Sequence, residues 1–106
     1  MPITRIAVPP SAKKGEVIEI KTLIQHNMET GHRRDNMGRP IPRDIIDRLV
    51  VTYEGAEIFR ADIFSGVAAN PYFAFLTIAT RTSDVVFQWT DDKGETITER
   101  RKLTVA

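Results

Sequence analysis

The strongest structural signal lies at residues 16–25, which read Glu-Val-Ile-Glu-Ile-Lys-Thr-Leu-Ile-Gln. Every second position from 18 to 24 is β-branched, and charged side chains occupy positions 19 and 21 between them. Strict alternation of this kind is typical of a strand that buries one face and leaves the other in water. Gly15 precedes the run and provides a natural turn. We therefore predict a half-buried β-strand over residues 16–25.

The same short, alternating runs recur along the rest of the chain, separated by turn-forming residues. Pro9–Pro10, Glu54–Gly55, Asn70–Pro71 and Asp91–Gly94 interrupt them, and Glu54–Gly55 has the character of a tight hairpin turn. Six further strands are predicted at residues 3–8, 45–54, 56–63, 72–80, 84–90 and 95–105. Seven short strands without helical periodicity predict an all-β, immunoglobulin-like, two-sheet antiparallel sandwich, with Trp89 in its core.

Length and composition restrict the function classes. The chain has 106 residues, enough for one domain over 1–106, and 15 Lys and Arg against 14 Asp and Glu give a net charge of +1. Such a balance provides no strong field for nucleic acid or an anionic membrane. No stretch approaches the ~20 apolar residues of a membrane span, and no N-terminal signal peptide is recognisable. We expect a cytoplasmic protein, or one exported without a signal peptide of its own.

The sequence gives little support to catalysis or to a cofactor. It contains no cysteine and two histidines, which argues against thiol chemistry, disulfides and a histidine-rich metal centre. No serine lies in a Gly-x-Ser-x-Gly context, and no glycine-rich phosphate loop occurs. We predict a non-enzymatic protein without metal or cofactor.

Residues 72–79 carry more apolar side chains than one buried strand face can use. If Phe73 and Phe75 point to the core, the alternate side chains must point outward. A second protein that covers them is one interpretation. A central strand covered by the chain's own long loop is the other. An isolated chain could also form a homodimer through this surface. The candidate partner interface comprises Ile46, Val50, Tyr72, Leu76 and Ile78.

A loop of about 18 residues, 26–43, has neither strand nor helix periodicity and is rich in cations. Loops of this length in compact domains are often functional. Its candidate docking residues are His26, His32, Arg33, Arg34, Arg39 and Arg43. Three readings stay open: a solvated surface, a docking patch for a partner or visiting enzyme, and a small-anion site. Two histidines with Met28 are too few ligands to indicate a metal.

Several segments of the chain resemble the SoxZ family of bacterial sulfur oxidation. They are residues 13–24, the run His-Asn-Met-Glu-Thr-Gly at 26–31, Ile-Pro-Arg at 41–43, Ala-Asn-Pro-Tyr at 69–72 and Trp-Thr-Asp at 89–91. The resemblance covers nearly the whole chain in order, which identifies a single immunoglobulin-like SoxZ domain over residues 1–106.

The resemblance implies a non-catalytic subunit of the SoxYZ carrier in thiosulfate oxidation. The partner would be SoxY, in a heterodimer or higher heteromer, and its C-terminal cysteine would carry the covalent sulfur intermediates. Other Sox enzymes would make transient contacts, and neither nucleic acid nor a membrane would be involved. The complex would be periplasmic, exported by the signal peptide of SoxY. As the alternative, the 26–43 loop would make the chain a thiosulfate- or sulfite-binding module.

Overall fold

Eight β-strands make up the computed structural model, which describes residues 3–64, 66–67 and 69–106. Each of the seven predicted strands is present, within two residues at either end. The described residues contain no helix, and therefore none long and apolar enough to cross a membrane. The strands are β1 (Thr4–Ala7), β2 (Ser11–Ala12), β3 (Val17–Ile24), β4 (Ile46–Tyr53), β5 (Ala56–Asp62), β6 (Tyr72–Ile78), β7 (Ser83–Asp91) and β8 (Thr96–Val105).

The strands form two sheets of unequal width. The smaller sheet has the order β1-β3-β6 and the larger has the order β2-β8-β7-β4-β5. Neighbouring strands are antiparallel except β2, which runs parallel to β8. The all-β, two-sheet sandwich predicted from the sequence is therefore confirmed. The sequence analysis missed β2, because two residues are too few to show a periodicity.

The core lies between the sheets and uses alternate positions of each strand. The even positions of β3 from 18 to 24 are buried, and so are the odd positions of β4 from 49 to 53 and of β7 from 85 to 89. Trp89 is 1% exposed, as predicted. At one side of the core, Phe59 of β5 stacks on Phe75 of β6, with ring centroids 4.4 Å apart and planes 5° apart. This stack confirms that Phe75 faces inward.

Ile46 departs from the alternation and corrects one of the sequence predictions. It was expected to be a surplus, outward-facing side chain, but it is 2% exposed and belongs to the core. The register between β4 and β7 shifts between Ile46 and Arg48, so Asp47 is an extra residue in the ladder. A bulge of this kind reverses which face the preceding residue occupies. Ile46 is therefore not available to a partner.

Glu54 and Gly55 form the tight turn between β4 and β5, as the sequence predicted. Both have positive φ angles, 55° and 75° respectively. Two consecutive positive φ angles define the type I′ turn, whose twist matches that of the paired strands. The hairpin places β5 at the edge of the larger sheet, beneath β6.

Tyr53 fastens this hairpin to the turn that follows β6. Its side-chain hydroxyl donates to the carbonyl oxygen of Arg81 and accepts from the backbone N–H groups of Thr80 (3.2 Å) and Arg81 (3.0 Å). Burial has the largest single effect and raises the pKa of Tyr53, but the hydrogen bonds of Thr80 and Arg81 together outweigh it and lower the pKa. The hydroxyl therefore links the two sheets at the end of the sandwich remote from the 26–43 loop.

Replacing Tyr53 by Phe should destabilise the fold by about 1–2 kcal/mol, because three backbone groups lose their partner. Urea unfolding followed by tryptophan fluorescence measures this change. Tyr72→Phe is the matched control, since Tyr72 is 55% exposed and should unfold as the parent chain does. An unchanged midpoint for Tyr53→Phe would contradict the role assigned to the hydroxyl.

Candidate partner surface and the 26–43 loop

The outward face of the smaller sheet is apolar over much of its area. Tyr72, Leu76 and Ile78 project from it, as the sequence analysis predicted for these three residues. Five residues form this surface, which we call the outer apolar face. They are Val17 (59% exposed), Leu23 (half-buried), Tyr72 (55%), Leu76 (66%) and Ile78 (54%). Val17 and Leu23 were not among the predicted residues, although their odd positions in the 16–25 alternation already indicated an outward direction.

The register of β3 and β6 arranges this face in cross-strand pairs. Val17 lies opposite Ile78 at one end, and Leu23 lies opposite Tyr72 at the other. Between them, Glu19 and Lys21 form an ion pair with 3.5 Å between Oε1 and Nζ. A shallow groove of about 230 Å³ adjoins the Leu23–Tyr72 end, toward β1. The face is therefore apolar along β6 and at both ends of β3, with one ion pair between those ends on β3.

Val50 lies on a different surface from these residues. It is half-buried on the outward side of the larger sheet, where it is paired with Arg60 on one side and Gln88 on the other. The two outward sides of a sandwich point in opposite directions. The five predicted interface residues therefore do not form one patch: Tyr72, Leu76 and Ile78 share a face, Val50 lies across the molecule and Ile46 is in the core.

The 26–43 loop does not cover the outer apolar face. This result removes the alternative in which residues 72–79 form a central strand beneath that loop. β6 is instead an edge strand, paired only with β3 among the described residues. The apolar side chains on its outward side are exposed along its whole length.

Most of the loop's arginines are already paired with carboxylates of this chain. Arg33 donates to both carboxylate oxygens of Glu29, at 2.6 and 3.1 Å. Arg39 donates to Asp35 at 3.1 Å. Two further contacts complete the set: Arg43 donates to Asp92 at 3.1 Å, and Arg34 donates to the backbone carbonyl of Gly38 at 2.8 Å. The Arg33–Glu29 pair lowers the pKa of Glu29 and raises the pKa of Arg33, chiefly through the hydrogen bond between the two side chains.

A hollow of about 450 Å³ in the loop is lined by residues 27–30 and Arg33. A small anion in this hollow would need Arg33, the one cationic side chain of the lining. Arg33 is already hydrogen-bonded to Glu29. An anion would have to displace that carboxylate from the arginine. The arrangement therefore disfavours the small-anion reading of the loop.

His26 and Met28 organise the start of the loop. The backbone N–H of Met28 donates to Nδ1 of His26 at 2.9 Å, and Nε2 of His26 lies 3.6 Å from Asp44. Met28 has a φ angle of 55° and is 4% exposed, and its sulfur accepts from the backbone N–H of Ile46. His26 thus hydrogen-bonds within the loop, whereas His32 is exposed.

Gly31 allows the first part of the 26–43 loop to pack closely against Arg43 at the end of the loop. Its φ angle is 88°, and a Cβ built there would lie 3.1 Å from the Cβ of Arg43. Both the angle and the contact require glycine. In the described part of the chain, no group of three or more histidine, cysteine or carboxylate side chains is placed to hold a metal ion.

Residues 5–102 match the family model described as sulphur oxidation protein SoxZ. The chain belongs to the SoxZ family. This membership confirms the resemblance seen in the sequence and connects the chain with the sulfur oxidation system. No curated protein matches the sequence significantly.

Solved structures with a similar fold include two kinds of protein. The sulfur carrier protein SoxY from Chlorobium limicola f thiosulfatophilum superposes with a TM-score of 0.67 at 11% identity, covering 97% of this SoxZ-family chain and 78% of SoxY. The superoxide reductase (neelaredoxin) from Ignicoccus hospitalis gives a TM-score of 0.70 at 14% identity, covering 97% and 80%. At these identities the likeness establishes a shared β-sandwich fold.

Asp92 should make the stability of the loop depend on pH. Burial is the largest effect and raises the pKa of Asp92, but the Arg43 hydrogen bond, the Ile45 N–H and the nearby cations outweigh it and lower the pKa. A depressed pKa contributes stability above the unfolded value of about 3.9, and that stability is lost as the pH falls through the folded pKa. Asp92→Asn should therefore unfold about 1 kcal/mol more easily than the parent at pH 7.

The difference between Asp92→Asn and the parent should shrink as the pH falls through the lowered pKa of Asp92, and it should disappear once the carboxyl group is protonated in the folded state as well. Thermal unfolding at a series of pH values measures the convergence. Asp84→Asn is the control: Asp84 is exposed on β7, and its replacement should leave the midpoint unchanged at every pH. A constant difference for Asp92→Asn at all pH values would show that the effect is not electrostatic.

Proposed function

We propose that this chain is the non-catalytic subunit of a SoxYZ-type carrier in thiosulfate and sulfur oxidation. It pairs with a SoxY subunit, and the C-terminal cysteine of SoxY carries the covalent sulfur intermediates. The observation that supports this proposal best is the outer apolar face, which a SoxZ-family chain leaves in water over Val17, Tyr72, Leu76 and Ile78.

The chemistry of the chain agrees with a supporting role. None of its 106 residues is a cysteine, so this sequence offers no thiol on which sulfur could be held. A carrier that binds its cargo covalently needs a nucleophile of that kind. The thiol must therefore come from another polypeptide, and this chain contributes the surface to which that polypeptide binds.

The size of the apolar face determines what the partner has to supply. Full burial of a large apolar side chain is worth about 1.5–3 kcal/mol, so covering four that are about half exposed is worth about 4 kcal/mol. Association itself costs about 4–15 kcal/mol in lost freedom of motion. The partner must consequently make further contacts beyond these four side chains.

The periplasm is the compartment that we propose for the complex, with export provided by the SoxY subunit. This part of the proposal follows the SoxZ resemblance. Transient contacts with other Sox enzymes would use surfaces that SoxY leaves open. The ordered 26–43 loop is the candidate, since its exposed arginines and His32 lie outside the apolar face.

Leu76→Asp should abolish co-purification with SoxY while the domain remains folded. The carboxylate would be buried in the covered face directly opposite Glu19, and burying two like charges side by side is strongly unfavourable for the complex. The measurement is co-purification of an affinity-tagged chain expressed together with SoxY from the same organism, with circular dichroism to establish the fold.

Thr98→Asp is the matched control for Leu76→Asp. Thr98 is exposed on β8, in the larger sheet, so the same charge is placed on the opposite side of the sandwich. This variant should retain SoxY. Retention of SoxY by a folded Leu76→Asp variant would refute the proposed interface.

A further inference from the structure

The free edge of β6 is the part of the molecule that the proposed function leaves unexplained. Three backbone hydrogen bonds fix its orientation: Ile24 N–H donates to Pro71 O, Gly15 N–H to Ala79 O, and Ala79 N–H to Glu16 O. In an antiparallel ladder the N–H and C=O of one residue point to the same side, and the side alternates along the strand. The odd-numbered residues of β6 therefore bond to β3.

The even-numbered residues of β6 consequently point their backbone groups away from β3. These are Tyr72, Ala74, Leu76 and Ile78. In the described part of the chain no strand lies on that side of β6. Four N–H and four C=O groups are therefore arranged as a template for another strand.

β6 lacks the features that usually prevent such pairing. Its sequence, Tyr-Phe-Ala-Phe-Leu-Thr-Ile, contains no charge, proline or glycine, and its register with β3 is unbroken over seven residue pairs. β5, the edge of the larger sheet on the same side, carries Glu57, Arg60 and Asp62 and has a register shift opposite Val51 and Thr52. β1 and β2 are only four and two residues long. Charges, bulges and short strands are the common means of protecting an edge.

Space for a further strand is present beside β6. A groove of about 440 Å³ lies between the C-terminal end of β6 and the β4–β5 hairpin, and its apolar lining includes Ala56, Ile58 and Ile78. A strand added next to β6 would direct alternate side chains into this groove and the others onto the outward side. It would extend the narrower, three-stranded sheet over the edge of the five-stranded one.

We infer that the SoxY partner adds an extended strand to the open edge of β6, bonded through the backbone groups of its even-numbered residues. The inference rests on the proposed function and specifies how its partner binds. It also supplies the contacts that the outer apolar face alone lacks. Because Leu76 and Ile78 belong both to that face and to the open edge, one partner chain can engage the two surfaces together.

A second copy of this chain is the competing occupant, and the area argues against it. Two β6 strands would meet along seven residues, about 24 Å, and cover on the order of 200–300 Å² per chain. A stable interface needs about 800 Å² per partner. Edge pairing of two copies would also leave their outer apolar faces in water. A partner that continues from the edge across that face provides the larger area.

Ala74→Pro tests the inference directly. Proline removes an N–H that faces the open edge, and it leaves the β3 ladder intact because position 74 does not bond to β3. The affinity for SoxY, measured by titration calorimetry, should fall about tenfold or more. Ala74→Ser keeps the N–H and nearly the same side-chain size, and its affinity should fall much less than that of Ala74→Pro, because no backbone donor is lost. The unfolding midpoint of each variant reports on the fold.

Hydrogen exchange provides a second measurement that needs no substitution. In the free chain, the amides of residues 72, 74, 76 and 78 should exchange fast, and those of 73, 75 and 77 slowly. In the complex with SoxY, the even-numbered amides should become protected as well. Protection that remains alternating in the complex would overturn the inference, even if Ala74→Pro failed to fold.

The outcomes separate the inference from the proposed function. If Leu76→Asp abolishes the complex and Ala74→Pro leaves it intact, the partner covers the face without pairing at the edge, and only the inference fails. If a folded Leu76→Asp variant retains SoxY, or if the parent chain does not bind SoxY, the proposed function fails and the inference with it. Even-numbered amides that become protected in the isolated chain at high concentration would indicate a second copy and overturn the inference.

Discussion

The stack of Phe59 on Phe75 determines which side of β6 faces the core, and the exposed surface follows from it. The two rings lie 4.4 Å apart and almost parallel, and Phe73 lies 5.9 Å from the same ring. Offset stacking of this kind stabilises a contact beyond the apolar area that it buries. Because side chains alternate along a strand, fixing Phe73 and Phe75 inward obliges Tyr72, Leu76 and Ile78 to point outward.

Alternation explains both what the sequence could predict and where the prediction stopped. It located seven strands and the buried face of β3, because each strand buries one face. It failed at Ile46, where Asp47 is an extra residue that reverses the parity of β4. The one sign of this bulge in the sequence is the charged Asp47, at a position that the parity of Leu49 and Val51 would direct into the core. Strand order is invisible to alternation, so Val50 was grouped with residues of the opposite sheet and β6 was not recognised as an edge.

The 26–43 loop shows a different limit of sequence reasoning. Its arginines suggest a cationic surface, but three of them are held by Glu29, Asp35 and Asp92. Asp92 comes from the β7–β8 turn, 49 residues beyond Arg43. Sequence shows the number of charges in a segment and cannot show which distant carboxylate neutralises them. Three of the four arginine charges of the loop are therefore neutralised by carboxylates of this chain, which is a poor arrangement for capturing a small anion.

The contacts that fix β6 in place affect how its open edge can bind a partner strand. β6 is held by an unbroken seven-residue register on one side, by the phenylalanine stack beneath it, and at its end by the Tyr53 hydroxyl on Thr80 and Arg81. A strand fixed in this way presents its backbone groups in a set geometry before any partner arrives. Association then loses little conformational freedom on this side of the interface, and more of the contact energy is available for binding. A fixed, uncharged edge next to an apolar face thus suits the binding of an extended strand.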